Sequence, residues 1–411
     1  MSARASRLAI LGPGLLVAAT GVGAGDLATA AFTGSVLGTS VLWAVVLGAF
    51  FKFVLNEGLA RWQLATGETL LEGVLGRVPR PARFLFLLYF LPWSWFVGSA
   101  LVGACGVTTH ALLPVFDDAT TGKIVFGVAC SGVGLAIALR GGFRAFERLM
   151  SVSVALMFAA TIATAVALRP DVGEVLRGLF VPSVPDADGR GPGWTIALMG
   201  GVGGTLTVLC YGYWIREVGR EGPGAIATCR IDLVVGYAAT ALFGLAMVVV
   251  GSTIEVEGKG SGLVVALAQR LDGELGPAMR LVFLVGAWSA VFSSLVGVWQ
   301  SVPYLFADFW SLARGDERPA SASLVASAPY RVWSFALAIV PLGGLWLSFK
   351  EVQKLYAIVG ACFMPLLALA LLVLLRRGGP AGVHANRVGT VLVLAVVVAF
   401  FAWAGWIGAA G

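Results

Sequence analysis

Long apolar runs dominate this chain and leave it few ways to fold. Eleven stretches, most at or above the ~20 residues a helix needs to cross a bilayer, follow one another with mostly short polar joints. They fall at residues 8–37, 40–66, 82–113, 120–139, 145–168, 194–215, 228–251, 277–306, 331–349, 352–375 and 388–409. In hydrocarbon every backbone N–H and C=O must find a partner inside the protein, so runs of this length form bundled helices. Composition agrees, because 12% of the residues are charged against the ~25% of a soluble domain. The expectation is an all-α polytopic membrane protein, with the lipid bilayer as its first partner.

Two of these stretches carry features that an ordinary membrane helix avoids. Asp26 stands in the middle of the first, directly after Gly21-Val22-Gly23-Ala24-Gly25, and Gly200-Gly201-Val202-Gly203-Gly204-Thr205 lies in the sixth. A carboxylate and helix breakers at mid-membrane are tolerated where they line a polar cavity, so both stretches read as helices broken at a binding site. The clusters lie five spans apart, and five is odd. A second copy of a five-span unit therefore enters the membrane from the opposite face, the inverted-repeat arrangement of many secondary transporters. The expected division is residues 1–168 and 169–377 for the two repeats, with 378–411 adding an eleventh span. Asp26 is the candidate for direct contact with a transported solute, and Gly23, Ala24, Gly25, Gly203 and Gly204 supply freed backbone groups.

Other classes are disfavoured. Arg4 and Arg7 before an apolar run resemble a signal peptide, but the run continues into the broken span. Five single cysteines with no C-x-x-C spacing read as small buried apolar residues, and His110 and His384 have no partner histidine at helical spacing. No ATP-binding loop is present, which argues against a primary pump. An enzyme is not expected, nor a cofactor. The net charge of +6 lies in loops and reports topology, not nucleic-acid affinity. With the N-terminus inside, inner loops hold 17 Lys and Arg and outer loops nine. That bias favours a cytoplasmic N-terminus in a bacterial inner membrane.

The motifs along the chain resemble the Nramp family of proton-coupled divalent-metal transporters, which have the LeuT fold. Leu11-Gly12-Pro13-Gly14-Leu15-Leu16 is similar to the family's opening of span one, and Gly23-Ala24-Gly25-Asp26-Leu27-Ala28-Thr29 occupies the place of its D-P-G-N-x-A-T motif. Leu64-Ala65-Thr66-Gly67-Glu68-Thr69-Leu70 resembles A-T-G-x-x-L at the end of span two. Further echoes are Gly142-Phe143-Arg144-Ala145-Phe146-Glu147, Ser293-Ser294 through Gln300, and Leu337-Ala338-Ile339-Val340-Pro341. The resemblance implies a LeuT-like 5+5 inverted repeat plus an eleventh helix, with spans one and six broken. It also implies alternating access, with protons as a coupling ion.

Departures fall on the chemistry. The family's metal-binding aspartate corresponds to Gly23 and its asparagine to Asp26, while its methionine ligand becomes Thr207 and the following histidine Leu209. Span three, which carries acidic proton-path residues in the family, is uncharged from Phe90 to Gly98. Loss of the thioether leaves oxygen donors, which suit hard ions better than soft transition metals. The resemblance thus makes a divalent cation, a hard ion in preference to a soft one, the first expectation, with Asp26 binding it and Thr207 adding a side-chain oxygen.

Lys52 sets a second problem, since it lies near the middle of span two. A buried ammonium needs a partner, and Asp26 and Glu57 are the carboxylates within reach. Pairing with Asp26 gives Lys52 a coupling or charge-compensating role, whereas pairing with Glu57 makes it a static tie. A fixed positive charge beside Asp26 also suits a zwitterion, which keeps an amino acid or small organic solute open as substrate. A non-transporting receptor or scaffold on the same fold is the remaining alternative. Thr205, Tyr211, Ser293, Ser294 and Gln300 are candidates to line the cavity. The aromatics Tyr213, Trp214, Trp93, Trp95 and Phe96 serve equally well as a substrate wall or as interface anchors. Asn56, Glu57 and Arg61, and Glu147 with Arg144 and Arg148, read as gate ion pairs or snorkelling ends.

Overall fold

The structure is a computed structural model, and it describes residues 12–21, 23–140, 143–185, 189–255, 260–315 and 321–410. Helices occupy every one of the eleven apolar stretches. Span one consists of a helix Gly12–Gly21, a π-helical turn Ala24–Thr29 and a helix Ala30–Leu37. Spans two to five are Leu42–Thr66, Leu85–Leu112, Ala119–Arg140 and Phe143–Ala167. Span six is again interrupted, as Gly191–Gly201, a 3-10 turn Leu206–Leu209 and Cys210–Glu217. Spans seven to nine are Ile226–Gly251, Pro277–Arg314 and Ala328–Ile339, the last continued by a 3-10 stretch Val340–Trp346. Span ten runs through Phe349–Ala361 and Phe363–Leu374, and span eleven is Val388–Ala410.

Seven helical segments of the described residues are long and apolar enough to cross a membrane. Their outer faces carry large apolar side chains in the open, such as Leu88 at 76% exposure, Leu281 at 57% and Val373 at 65%. A water-soluble fold does not tolerate a girdle of this kind, whereas lipid covers it without penalty. The chain is an integral membrane protein.

Local chemistry explains where helices stop. Pro341 lacks a backbone N–H and ends the regular helix of span nine. The Ser99 hydroxyl of span three donates to the Pro341 carbonyl at 2.9 Å. Among the short helices in segments expected as loops are Val172–Phe180 and Leu263–Leu275. The first is capped by Asp171, whose carboxylate accepts from the Glu174 N–H at 2.9 Å. It leaves Phe180 77% exposed, the habit of a helix lying along the membrane interface.

Spans one and seven approach closely at small residues. A Cβ on Gly34 would stand 2.2 Å from the Val248 carbonyl oxygen, and one on Gly251 would stand 2.3 Å from that of Ala31. Such contact replaces the hydrophobic drive that lipid cannot supply between helices. Four of the cysteines are buried as expected, but Cys362 is exposed on span ten.

Candidate functional site

The two breaks meet backbone to backbone. A Cβ on Gly21 would lie 2.6 Å from the Gly203 carbonyl carbon, and one on Gly25 would lie 2.5 Å from the Gly201 oxygen. Within span six the chain turns through Gly203 and Gly204 at φ of 74° and 85°. That left-handed region is open to glycine and strained for almost every other residue. After the turn the carbonyls of Gly200, Val202 and Gly204 no longer serve a helix, and in a membrane they need other donors.

Lys52 supplies those donors. Its ammonium donates to the Gly200 oxygen at 2.7 Å and also to the oxygens of Val202 and Gly204. An ammonium carries three donors, so all three are engaged. The side chain is 2% exposed. Glu57 plays no part in holding it, which corrects one of the two expected pairings. Five residues along a helix turn the side chain about 140° around the axis, so Glu57 faces elsewhere. It pairs with Arg61 at 3.2 Å and with Arg230 of span seven at 2.8 Å, beside a cleft of ≈ 560 Å³.

Asp26 is completely buried. One carboxylate oxygen accepts from the Gly203 N–H at 3.1 Å, and the other has no hydrogen-bond partner. Asp26 and Lys52 share the interior of the site without forming a direct ion pair, and the hydrogen bonds of both go to the backbone of span six. The site is a carboxylate, an ammonium and a carbonyl cradle, all shut away from solvent.

Gly23 sits where no side chain fits. A Cβ there would stand 2.2 Å from Cβ and 2.3 Å from Oγ of Ser294, and that hydroxyl donates to the Thr20 carbonyl at 2.5 Å. Span eight thus caps the end of the first half-helix through Ser294. Thr205 is fixed at the second break by Trp93 of span three, whose indole N–H donates to its hydroxyl at 2.8 Å. Thr207 follows in the 3-10 turn, with Oγ1 2.8 Å from the point a Gly204 Cβ would reach.

Other candidates are not brought together with these. Ser293 donates to Ala290 of its own helix. Gln300 meets span nine, where its backbone carbonyl accepts from Tyr330 at 3.3 Å. Tyr211 points to span seven, donating to Asp232 at 3.1 Å. A hydroxyl on a broken span gives no sign in sequence of which neighbour it will face. The backbone of Ala24 lies in the π turn, but its side chain and those of Arg144, Glu147 and Arg148 lie outside the described residues, as does Gly142.

Asp232 itself was not foreseen. It accepts from the Gly14 N–H at 2.9 Å and from Arg220 at 2.7 Å, joining spans one, six and seven. A carboxylate at the first turn of a helix satisfies an N–H that has no partner within it and complements the helix dipole. Asp308 accepts from the Tyr213 hydroxyl at 2.6 Å, joining spans six and eight. Their positions near the ends of apolar stretches gave the available signal. Among the described residues no cluster of three or more His, Cys, Asp or Glu is disposed to hold a metal ion.

Residues 14–408 match the family described as natural resistance-associated macrophage protein-like, Nramp. A divalent metal cation transporter MntH of Erwinia tasmaniensis is 27% identical over 72% of this chain and 71% of its own. A second, from Yersinia enterocolitica, is 24% identical over 83% and 87%. The match to the Chromohalobacter salexigens MntH, at 25% identity, spans 58% of that protein's length. Among solved structures, a mutant of the Eremococcus coleocola manganese transporter superposes with a TM-score of 0.75 at 16% identity, covering 98% of this chain and 86% of that one. MhsT in complex with L-phenylalanine gives 0.60 at 17%, covering 95% and 96%. These likenesses establish the LeuT-like fold, with interrupted spans one and six at its centre. By the extent and order of the match, this chain belongs to the Nramp family.

Proposed function

We propose that this protein is a secondary transporter that carries a divalent cation by alternating access around the two breaks. The observation that carries the reading is the carbonyl cradle of Gly200, Val202 and Gly204, which already holds a positive charge, the Lys52 ammonium, next to the Asp26 carboxylate. Oxygen donors arranged around one charge suit a cation. With no thioether or imidazole among them, they suit magnesium, calcium or manganese better than softer ions. Asp26 would bind the ion directly, the freed carbonyls would replace part of its water, and Thr207 would add a hydroxyl oxygen.

Membership in the Nramp family supports this reading, as do relatives that carry the name of divalent metal cation transporters. The complete burial of Asp26 corresponds to a closed stage of the cycle, in which neither membrane face reaches the site. The same reading divides the chain into repeats 1–168 and 169–377 with 378–411 appended. It places the N-terminus in the cytoplasm of a bacterial cell and makes protons the driving ion.

Purified protein in liposomes tests it. Uptake of Mg²⁺, Ca²⁺ or Mn²⁺ that vanishes in Asp26→Ala supports the reading, and a pH gradient that accelerates uptake supports the coupling ion. Flux of amino acids with no cation flux would replace it by the organic-solute alternative. Absence of any flux from monodisperse protein would leave a receptor or scaffold.

A further inference from the structure

We propose that Lys52 is a tethered counter-ion that carries the unloaded transporter back across the membrane. This inference rests on the cation-transport reading above and concerns the half of the cycle in which no ion is bound.

A carrier that releases a divalent cation on one side must return empty. In this protein the empty site would consist of three carbonyl oxygens converging on one point inside the membrane, with the Asp26 carboxylate held at the Gly203 N–H between them in sequence. Such a cluster without a positive charge resists closure, because burying it removes water and leaves nothing in exchange. Lys52 supplies the missing charge from within the protein. It is bound to all three carbonyls, attracted to Asp26, and buried to the same degree as the carboxylate it compensates. Being tethered to span two, it is always at hand, in the way a linked ligand is present at high effective concentration.

The same geometry makes Lys52 and the transported ion mutually exclusive. Each of the three ammonium donors occupies one carbonyl, so an ion entering the cradle displaces the side chain and then repels it. A second seat is in place for the displaced ammonium. Asn56 lies one turn further along span two on the same face, its side-chain amide donates to Tyr237 at 3.1 Å, and its buried Oδ1 has no hydrogen-bond partner. Lys52 thus alternates between the cradle when the carrier is empty and the Asn56 oxygen when it is loaded.

The two halves of the cycle are separable in liposomes with radioactive manganese. Net uptake into vesicles free of divalent ions needs the empty return, whereas exchange into vesicles loaded with unlabelled manganese does not. In Lys52→Met and Lys52→Gln the ratio of net uptake to exchange is expected to fall by about ten-fold or more relative to the parent. A thermal midpoint in detergent close to the parent's is the measure of correct folding. Net uptake that survives in proportion to exchange would overturn the proposal. Loss of both in both variants would also overturn it, in favour of a purely structural lysine. If the parent protein itself exchanges no manganese, the cation-transport reading fails first, and the two failures are thereby told apart.

Discussion

The Asp26 carboxylate and the Gly203 N–H stand 3.1 Å apart, and this contact joins the interrupted part of span one to that of span six. It uses the one charged side chain of the first break and a backbone donor freed by the second. The acid ties the two breaks together with one oxygen and leaves the other without a hydrogen bond.

Removing only the charge separates these duties. Asp26→Asn keeps an oxygen that can accept from Gly203, so the protein is expected to remain folded with a thermal midpoint close to the parent's. Uptake of Mn²⁺ or Mg²⁺ is expected to fall by at least about ten-fold, or ~1.4 kcal/mol. Unchanged uptake in a folded variant would remove Asp26 from the ion site.

Gly23 offers a test of packing. Its Cβ would overlap Ser294, so Gly23→Ala is expected to destabilise the protein by about 1–3 kcal/mol through overpacking. Pairing it with Ser294→Gly vacates the space and is expected to recover most of the loss. Thermal unfolding in detergent reads both. A single variant as stable as the parent would show that the first break yields easily.

Thr207 tests ion preference. Thr207→Met places a thioether beside Gly204 and the cradle, and sulfur favours softer ions. Cadmium is expected to inhibit manganese uptake at concentrations roughly ten-fold lower than in the parent. Equal inhibition in the two proteins would mean that this side chain does not reach the ion.

Asp232 and Arg220 form a buried pair, with side chains 0% and 9% exposed. Asp232→Asn removes the carboxylate charge facing Arg220 and is expected to destabilise the protein, by up to about 3–5 kcal/mol. Replacing both residues by leucine is expected to recover much of that, as for other buried pairs exchanged for apolar side chains. A single variant of full stability would show that Gly14 and Arg220 find other partners.

The apolar pattern alone determined that this chain spans a membrane as a helical bundle, because in lipid the backbone has no other solution at that length. It also located both interruptions, since Gly23, Gly25, Gly203 and Gly204 mark where a regular helix gives way. Asp26 and Lys52 were legible as charges turned to the bundle interior, because charges at mid-membrane need a reason. What Lys52 binds was not legible. Its partners are backbone carbonyls some 150 residues away, and a carbonyl has the same symbol whatever side chain it belongs to. For the same reason, tertiary structure alone decided that Ser294 fills the space beside Gly23, that Glu57 turns to Arg230, and that Asp232 holds the start of span one. Sequence records which groups are out of place in hydrocarbon, and only the packing of helices fixes which of them meet.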